Sequence, residues 1–427
     1  MSPFVTDLLS FLENSPTPFH AVENAKKLLV AAGFTELKEE NSWKEMPTAG
    51  FVTRDGGAIV AYRRGKQPLE KTGFHLAGSH TDSPCLKLKP SAAIESHGYV
   101  KLGVEVYGSP LLATWFDRDL SLAGRVSFMN HHNEVETALL NFKKALAVVP
   151  SLAIHLNRDA YDNRAINKQW ELPPVMFQWH RNHKRGEFSL DNLLLEELVV
   201  SHKLSPKKIL AHELSFYDTQ APSVTGLNQD FITSARLDNL LSVYTGLRAI
   251  LDCGPSATAV FVANDHEEVG SESLSGAQGT FLTTVLERLA GDREIFHRAL
   301  AKSTFVSTDN AHGVHPNYPE KHDREHAPLL NHGPAIKVNA NQRYATTSET
   351  AAWFTHACEK ADVPVQHFVS RTDMPCGSTI GPLTATRLGV KTVDVGVPTF
   401  AMHSIRETAG VQDPEWLSKA LKTFYEL

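Results

Sequence analysis

Histidines and acids recur at one kind of place in this 427-residue chain, directly after short apolar runs. His80 and Asp82 follow 74–77, and Asp265, His266, Glu267 and Glu268 follow 257–263. Asp309 and His312 follow 304–307, and His403 comes after 390–395. Short apolar runs of this kind read as strands, and open α/β sheets place their sites beyond carboxyl strand ends. Asp238 sits near the start of a helical pattern over 234–251, where an acid also suits the helix dipole. Two histidines with three or four carboxylates form a donor set suited to zinc, with manganese or cobalt as substitutes.

Each group also has a plainer reading. His80-x-Asp82 places a potential ligand beside a carboxylate that can orient its ring, but a polar loop with a helix cap has the same composition. Glu267-Glu268 in extended chain would point one carboxylate at a metal and the other at substrate, or it is an exposed acidic turn. Asp309 is a turn residue or a ligand, and His403 a satisfied, partly buried imidazole or a ligand. Charge supports a pair of ions. Two divalent cations are neutralised by Asp238, Glu268, Asp309 and a bridging hydroxide, with His80 and His403 neutral. Glu267 is then free to act as general base in a hydrolysis.

The elements that must position these residues alternate between strand and helix on both sides of an irregular block. Apolar spacing predicts helices over 4–12, from Thr17-Pro18 to Gly33, and over 234–251, 281–289, 293–302, 347–360 and 382–388, with a last one opening at Asp413-Pro414. Strands are expected at 57–62, 73–77, 257–263, 304–307, 335–338, 365–369 and 390–395, with 78–84 as a polar loop. Between about 96 and 229 the alternation lapses into β-type segments such as 100–107 and 122–129, with His-rich stretches near 130–133 and 180–185. One α/β domain interrupted by an inserted domain is the organisation implied: 1–95 and 230–427 as the catalytic domain, 96–229 as the insert.

Composition narrows the function classes. Hydrophobic residues make up 42% and charged residues 21%, which is globular, and a net charge of −6 provides no field for nucleic acid or anionic membrane. Four cysteines without C-x-x-C spacing argue for free thiols in a reducing compartment. The N-terminal stretch reads as neither signal nor transit peptide, and no run of 18 apolar residues occurs. A cytoplasmic protein is the expectation.

The stretches GSHTDSP (78–84), SARLDN (234–239), DHEEVGS (265–271) and AMHS (401–404) together resemble the aspartyl aminopeptidase family of dinuclear zinc metallopeptidases. Tyr107-Gly108, TWFDRDL (114–120), AIHLNR (153–158) and TDMPCGST (372–379) extend the likeness over nearly the whole chain. The resemblance implies a three-layer α/β catalytic domain interrupted by a β-rich dimerisation domain, and removal of N-terminal Asp or Glu from peptides. It implies two zinc ions per subunit, one on His80 and Asp309, the other on Glu268 and His403, bridged by Asp238. Glu267 is then the general base and Asp82 the support of His80. Lys337, Tyr344 and His312 match substrate-pocket positions, and His155 a residue that the insert delivers to a neighbouring subunit. Assembly into a homo-dodecamer is also implied.

From the residues alone these extras read more modestly. Lys337 lies in an apolar strand, where its charge needs a partner: a substrate carboxylate, a structural acid, or water reached by snorkelling. His155, flanked by Leu152, Ile154 and Leu156, reads as a strand residue with a satisfied ring. Two rivals stand beside the peptidase: a co-catalytic zinc hydrolase of other specificity, and a non-catalytic oligomeric metal-binding protein. Lys337 separates the first, because a neutral-residue peptidase has no use for it. The full ligand set together with a base argues against the second.

Overall fold

The structure, a computed structural model, describes residues 2–158, 164–179 and 188–427; the His-rich stretch near 180–185 lies outside the described residues. The chain forms two compact units, Met1–Ser83 with Pro222–Met402 and Arg406–Leu427, and Pro84–Ala221 with His403–Ile405.

The first unit is built on a nine-stranded sheet. Its strands are β1 (Thr35–Glu36), β2 (Ala49–Arg54), β3 (Ala58–Arg63), β4 (Phe74–His80), β5 (Thr258–Asn264), β6 (Thr304–Thr308), β7 (Ala335–Val338), β8 (Gln366–Val369) and β9 (Lys391–Gly396). The order is β1-β2-β3-β5-β4-β6-β9-β7-β8. At its centre β5, β4, β6 and β9 run parallel. Parallel strands are covered on both faces, and β5 is buried throughout. Its side chains alternate: Ala259, Phe261 and Ala263 enter one core, Val260 and Val262 the other.

The first core is closed by α1 (Pro3–Glu13), α2 (Pro18–Ala31), α3 (Leu237–Asp252), α6 (Ser348–Lys360) and α8 (Asp413–Glu426). The second is closed by α4 (Phe281–Ala290), α5 (Arg293–Leu300) and the ends of α7 (Ile380–Leu388). Helix over sheet over helix gives the three layers expected from the sequence. Local signals set the helix starts. Ser2 accepts from the Val5 N–H ahead of α1, Pro18 opens α2, and Thr347 and Thr350 form a reciprocal cap on α6. Gly246 allows α3 to lie close on the sheet, since a β-carbon there would fall 2.1 Å from the Phe261 ring.

A smaller five-stranded sheet in the same unit orders Ser223–Thr225, Phe231–Ser234, Glu407–Gly410, Pro398–Phe400 and Ala311–His312. The second unit is a six-stranded antiparallel sheet around Pro206–Asp218 and Leu120–Asn130, with the helix Leu190–His202 packed on its core. Cys85–Ser96 pairs into this sheet.

Three local expectations change. Gly78, Ser79 and His80 are the last residues of β4 rather than a polar loop. They pair with β5 and β6, whose own ladders extend to that level. Asp238 does not lie in regular helix: at φ −82°, ψ 104° its backbone breaks the first turn of α3. Glu267 and Glu268 are not extended but form a one-turn 3₁₀ helix, entered at His266 with φ 62° and left at Gly270 with φ 100°.

Candidate metal centre

The carboxyl ends of β4, β5 and β6 bring together residues far apart in sequence. His80 ends β4 and is 1% exposed. Its Nδ1 lies 3.1 Å from the Asp82 carbonyl oxygen and 3.3 Å from Asp82 Oδ1. With Nδ1 held against those acceptors, Nε2 is the nitrogen that would face a metal. That nitrogen, Nε2, lies 3.4 Å from Asp238 Oδ1 and 3.7 Å from Asp309 Oδ1.

Each acid is held by its neighbours. The Asp238 N–H donates to Glu407 Oε2 at 2.9 Å and the Ser83 hydroxyl to the Asp238 carbonyl at 2.5 Å. The Asn239 amide donates to Thr308 O at 2.9 Å, tying the broken turn of α3 to the end of β6. Asp309 follows β6, and its N–H donates to Val395 O of β9 at 3.0 Å. Asp82 is fully buried; its Oδ1 and Oδ2 accept from the N–H groups of Glu267 and Glu268, each at 3.1 Å. The sequence placed Asp82 behind His80. The structure adds that the same carboxylate carries the turn bearing both glutamates. Glu407, buried at 2% exposure, is a supporting residue that the sequence did not single out. Only its strand pairing brings it to Asp238.

Electrostatics mark the cluster. Burial alone pushes the His80 imidazole down. The carboxylates of Asp238, Asp309 and Asp82, with the charge of Glu267, reverse this and hold it well above its usual value. Burial pushes Glu267 up to about 7, opposed by His80 and reinforced by Asp309, Asp238 and Asp82. Acids crowded around a buried imidazole favour any cation that can stand among them. The donor chemistry fits zinc. His80, Asp238 and Asp309 each offer a ligand atom within 4.8 Å of the others, and so do His80, Glu267 and Glu268.

Lys337, on β7, is 2% exposed and donates to Asp309 Oδ2 at 3.4 Å and to Asn310 O at 3.2 Å. Of the three partners left open in the sequence, the structure supplies an acid. The Tyr344 ring stands 5.0 Å from the ammonium and is buried, which raises its phenol pKa. His312 opens onto a cavity of about 320 Å³ lined also by Tyr344, Phe368, Lys321, Arg371 and Gly377. Enclosure by the cavity walls and the charge of Lys337 lower its pKa.

Two expected residues lie in the second unit. His403, half-buried, has φ 69°, and its Nδ1 donates to the Ser109 carbonyl at 3.0 Å, which leaves Nε2 as its acceptor. His155 is not a strand residue. It occupies an exposed 3₁₀ turn, Ile154–Leu156, where the chain makes no ladder.

Comparison with known proteins bears on the family. A family model described as aminopeptidase I zinc metalloprotease (M18) matches residues 11–425. The "Probable M18 family aminopeptidase 2" of Ectopseudomonas mendocina (strain ymp) is 54% identical over 422 residues, covering 99% of this chain and 97% of the relative. Among solved structures, a chain of the Ape4 and Nbr1 complex superposes with a TM-score of 0.94 at 37% identity, covering 99% of this chain and 85% of that one. The S. cerevisiae mApe1 dodecamer gives a TM-score of 0.85 at 25% identity, with 99% and 96% covered. Sequence, fold and donor set agree, and the chain belongs to the M18 family of zinc aminopeptidases.

Proposed function

We propose that this aminopeptidase removes acidic residues, Asp or Glu, from the N-termini of peptides, using a dinuclear zinc site. His80 and Asp309 would hold one ion, Glu268 and His403 the other, with Asp238 between them. The observation that carries this reading is the buried cluster of carboxyl groups around His80 Nε2.

Zinc, when bound, supplies Lewis-acid polarisation and a lowered pKa for water. The chain's own residues do the rest. Glu267, whose pKa burial brings to about 7, accepts a proton from the attacking water on its carboxylate and returns it to the departing amine. Asp82 keeps the Glu267 turn in place and His80 in one tautomer. His312 and Tyr344 line the cavity that would receive the N-terminal side chain, and Lys337 behind them provides positive charge for an acidic one. His155, from the insert expected at 96–229, would complete a neighbouring subunit's site within a homo-dodecamer, the assembly of the yeast neighbour. Among the described residues no helix is long and apolar enough to cross a membrane, and all four cysteines are free, which supports a cytoplasmic setting.

A second reading, an M18 aminopeptidase of broader specificity, is favoured by one observation: the Lys337 ammonium is already paired with Asp309. Steady-state kinetics on aspartyl- and leucyl-linked chromogenic amides decide between them. A preference for the aspartyl substrate supports the first reading; equal or better leucyl cleavage overturns it. In the same assay Glu267→Gln should keep its zinc and lose about 10²–10⁴-fold in kcat. Wild-type turnover would remove Glu267 as the base.

A further inference from the structure

The stretch 372–379 stands out in the sequence, yet the proposed reaction makes no use of it. In the structure Met374, Pro375 and Gly377 form one wall of the 320 Å³ cavity, and Tyr344 belongs to another. Between the two walls lies Asp394, on β9, with no exposed surface. Its Oδ2 accepts from the Ala345 N–H at 2.7 Å and its Oδ1 from the Thr379 hydroxyl at 2.6 Å. Its own N–H donates to the Thr346 hydroxyl at 2.9 Å.

We propose that Asp394 is a positioning residue for the substrate side-chain pocket, joining the wall that carries Tyr344 to the wall that ends at Thr379. This rests on the reading of that cavity as the seat of the substrate's N-terminal side chain.

Three further observations support the assignment. Thr379 is also the cap of α7, accepting from the Gly381 N–H at 3.1 Å, so one hydroxyl links the helix start to the carboxylate. A β-carbon on Gly381 would fall 2.2 Å from Asp394 Oδ1, so the carboxylate is packed against the first turn with no room beside it. Asp394 stands opposite Lys337 in the β7–β9 register. A buried carboxylate is costly unless it is paired and hydrogen-bonded; here two donors and the Lys337 charge on the neighbouring strand offset part of the cost, and burial still raises the Asp394 pKa. Two other bonds between these loops, Arg343 Nε to Cys376 O and Ser378 Oγ to Arg343 O, each 3.3 Å, are solvent-exposed, and the Cys376 side chain packs against Tyr344. Exposed bonds compete with water and hold position less firmly.

The pocket walls act on substrate binding, while Glu267 and the metal ligands act on the chemical step. Loosening the walls should therefore raise KM and spare kcat. The test uses the zinc-loaded full chain and the variants Thr379→Val, Thr379→Ser and Asp394→Asn. Thr379→Val and Asp394→Asn are expected to raise KM on the better of the aspartyl and leucyl amides by about tenfold, with kcat within about twofold and zinc content unchanged. Thr379→Ser, which keeps the hydroxyl, should restore the wild-type KM. Hydrogen exchange should report loss of amide protection at 343–347 and 374–379 together in the first two variants. An unchanged KM, a fall in kcat alone, a Ser variant no better than Val, or exchange rising in one segment only would overturn the assignment. A leucyl preference in the wild type would instead count against the acidic-substrate reading, and the KM shift on the better substrate would still judge Asp394.

Discussion

Asp82 accepts the main-chain N–H of Glu267 at 3.1 Å through the same carboxylate oxygen that lies 3.3 Å from His80 Nδ1. One buried acid thus orients a ligand and the proposed base at once. An amide in its place presents one oxygen and one NH₂, so it cannot accept from both Glu267 and Glu268. Asp82→Asn should lower kcat and zinc affinity, each by about 10–100-fold. Kinetics and a zinc titration would show it; wild-type values for both would mean that the turn stands without this acid.

Lys337 touches Asp309, so its two possible roles differ in substrate dependence. Lys337→Met should cost acidic substrates about 10–100-fold in kcat/KM, the worth of a charge-assisted hydrogen bond, and neutral ones much less. Equal losses on both would show that the lysine acts through Asp309 alone.

The crowded carboxylates also make a prediction about metal removal. With zinc removed, Asp238, Asp309 and Glu267 crowd together with only His80 and Lys337 to offset their charge. Chelation should abolish activity and lower the Tm, and zinc should restore both. At zinc a thousandfold above its Kd the stabilisation is about 4 kcal/mol. His80→Ala should lose most of that Tm response; a response equal to wild type would place the bound zinc elsewhere.

Away from the centre, Asp413 opens α8 with a buried carboxyl that accepts from the N–H groups of Asn331 and Gly333 at 2.6 and 2.8 Å. Burial, opposed by those donors, pushes it from 3.8 up to about 6. The folded chain then binds more protons than the unfolded one between those values, so this group's stability is present below about pH 4 and is lost as the pH rises through about 6. Asp413→Asn removes that slope. Its stability relative to wild type should improve by up to about 3 kcal/mol from pH 4 to pH 7. Thermal unfolding across that range would show a constant gap if the carboxyl does not titrate in this way.

Much of the scaffold was legible because periodicity reflects burial directly. The run 257–263 is apolar without alternation and becomes β5, buried on both faces. Pro18, Pro414 and the Thr347 cap set helix starts by local chemistry, which needs no distant partner. Local reasoning failed where tertiary ties override it. Asp238 looked like an ordinary first-turn acid, but Glu407 and Ser83 hold its backbone out of the helix. Glu267-Glu268 looked extended, but Asp82 gathers both N–H groups into a 3₁₀ turn.

The donor inventory, the alternation of strand and helix, and the family likeness follow from residue type and spacing alone. Which carboxylate faces which nitrogen was settled by the folded arrangement. It set His80 Nε2 toward Asp238 and Asp309, Lys337 onto Asp309, and Asp394 between two pocket walls. The reason is physical: β4, β5, β6 and β9 are neighbours only through crossovers in a parallel sheet, and hydrogen bonds between their ends depend on strand order and register, which no local pattern encodes.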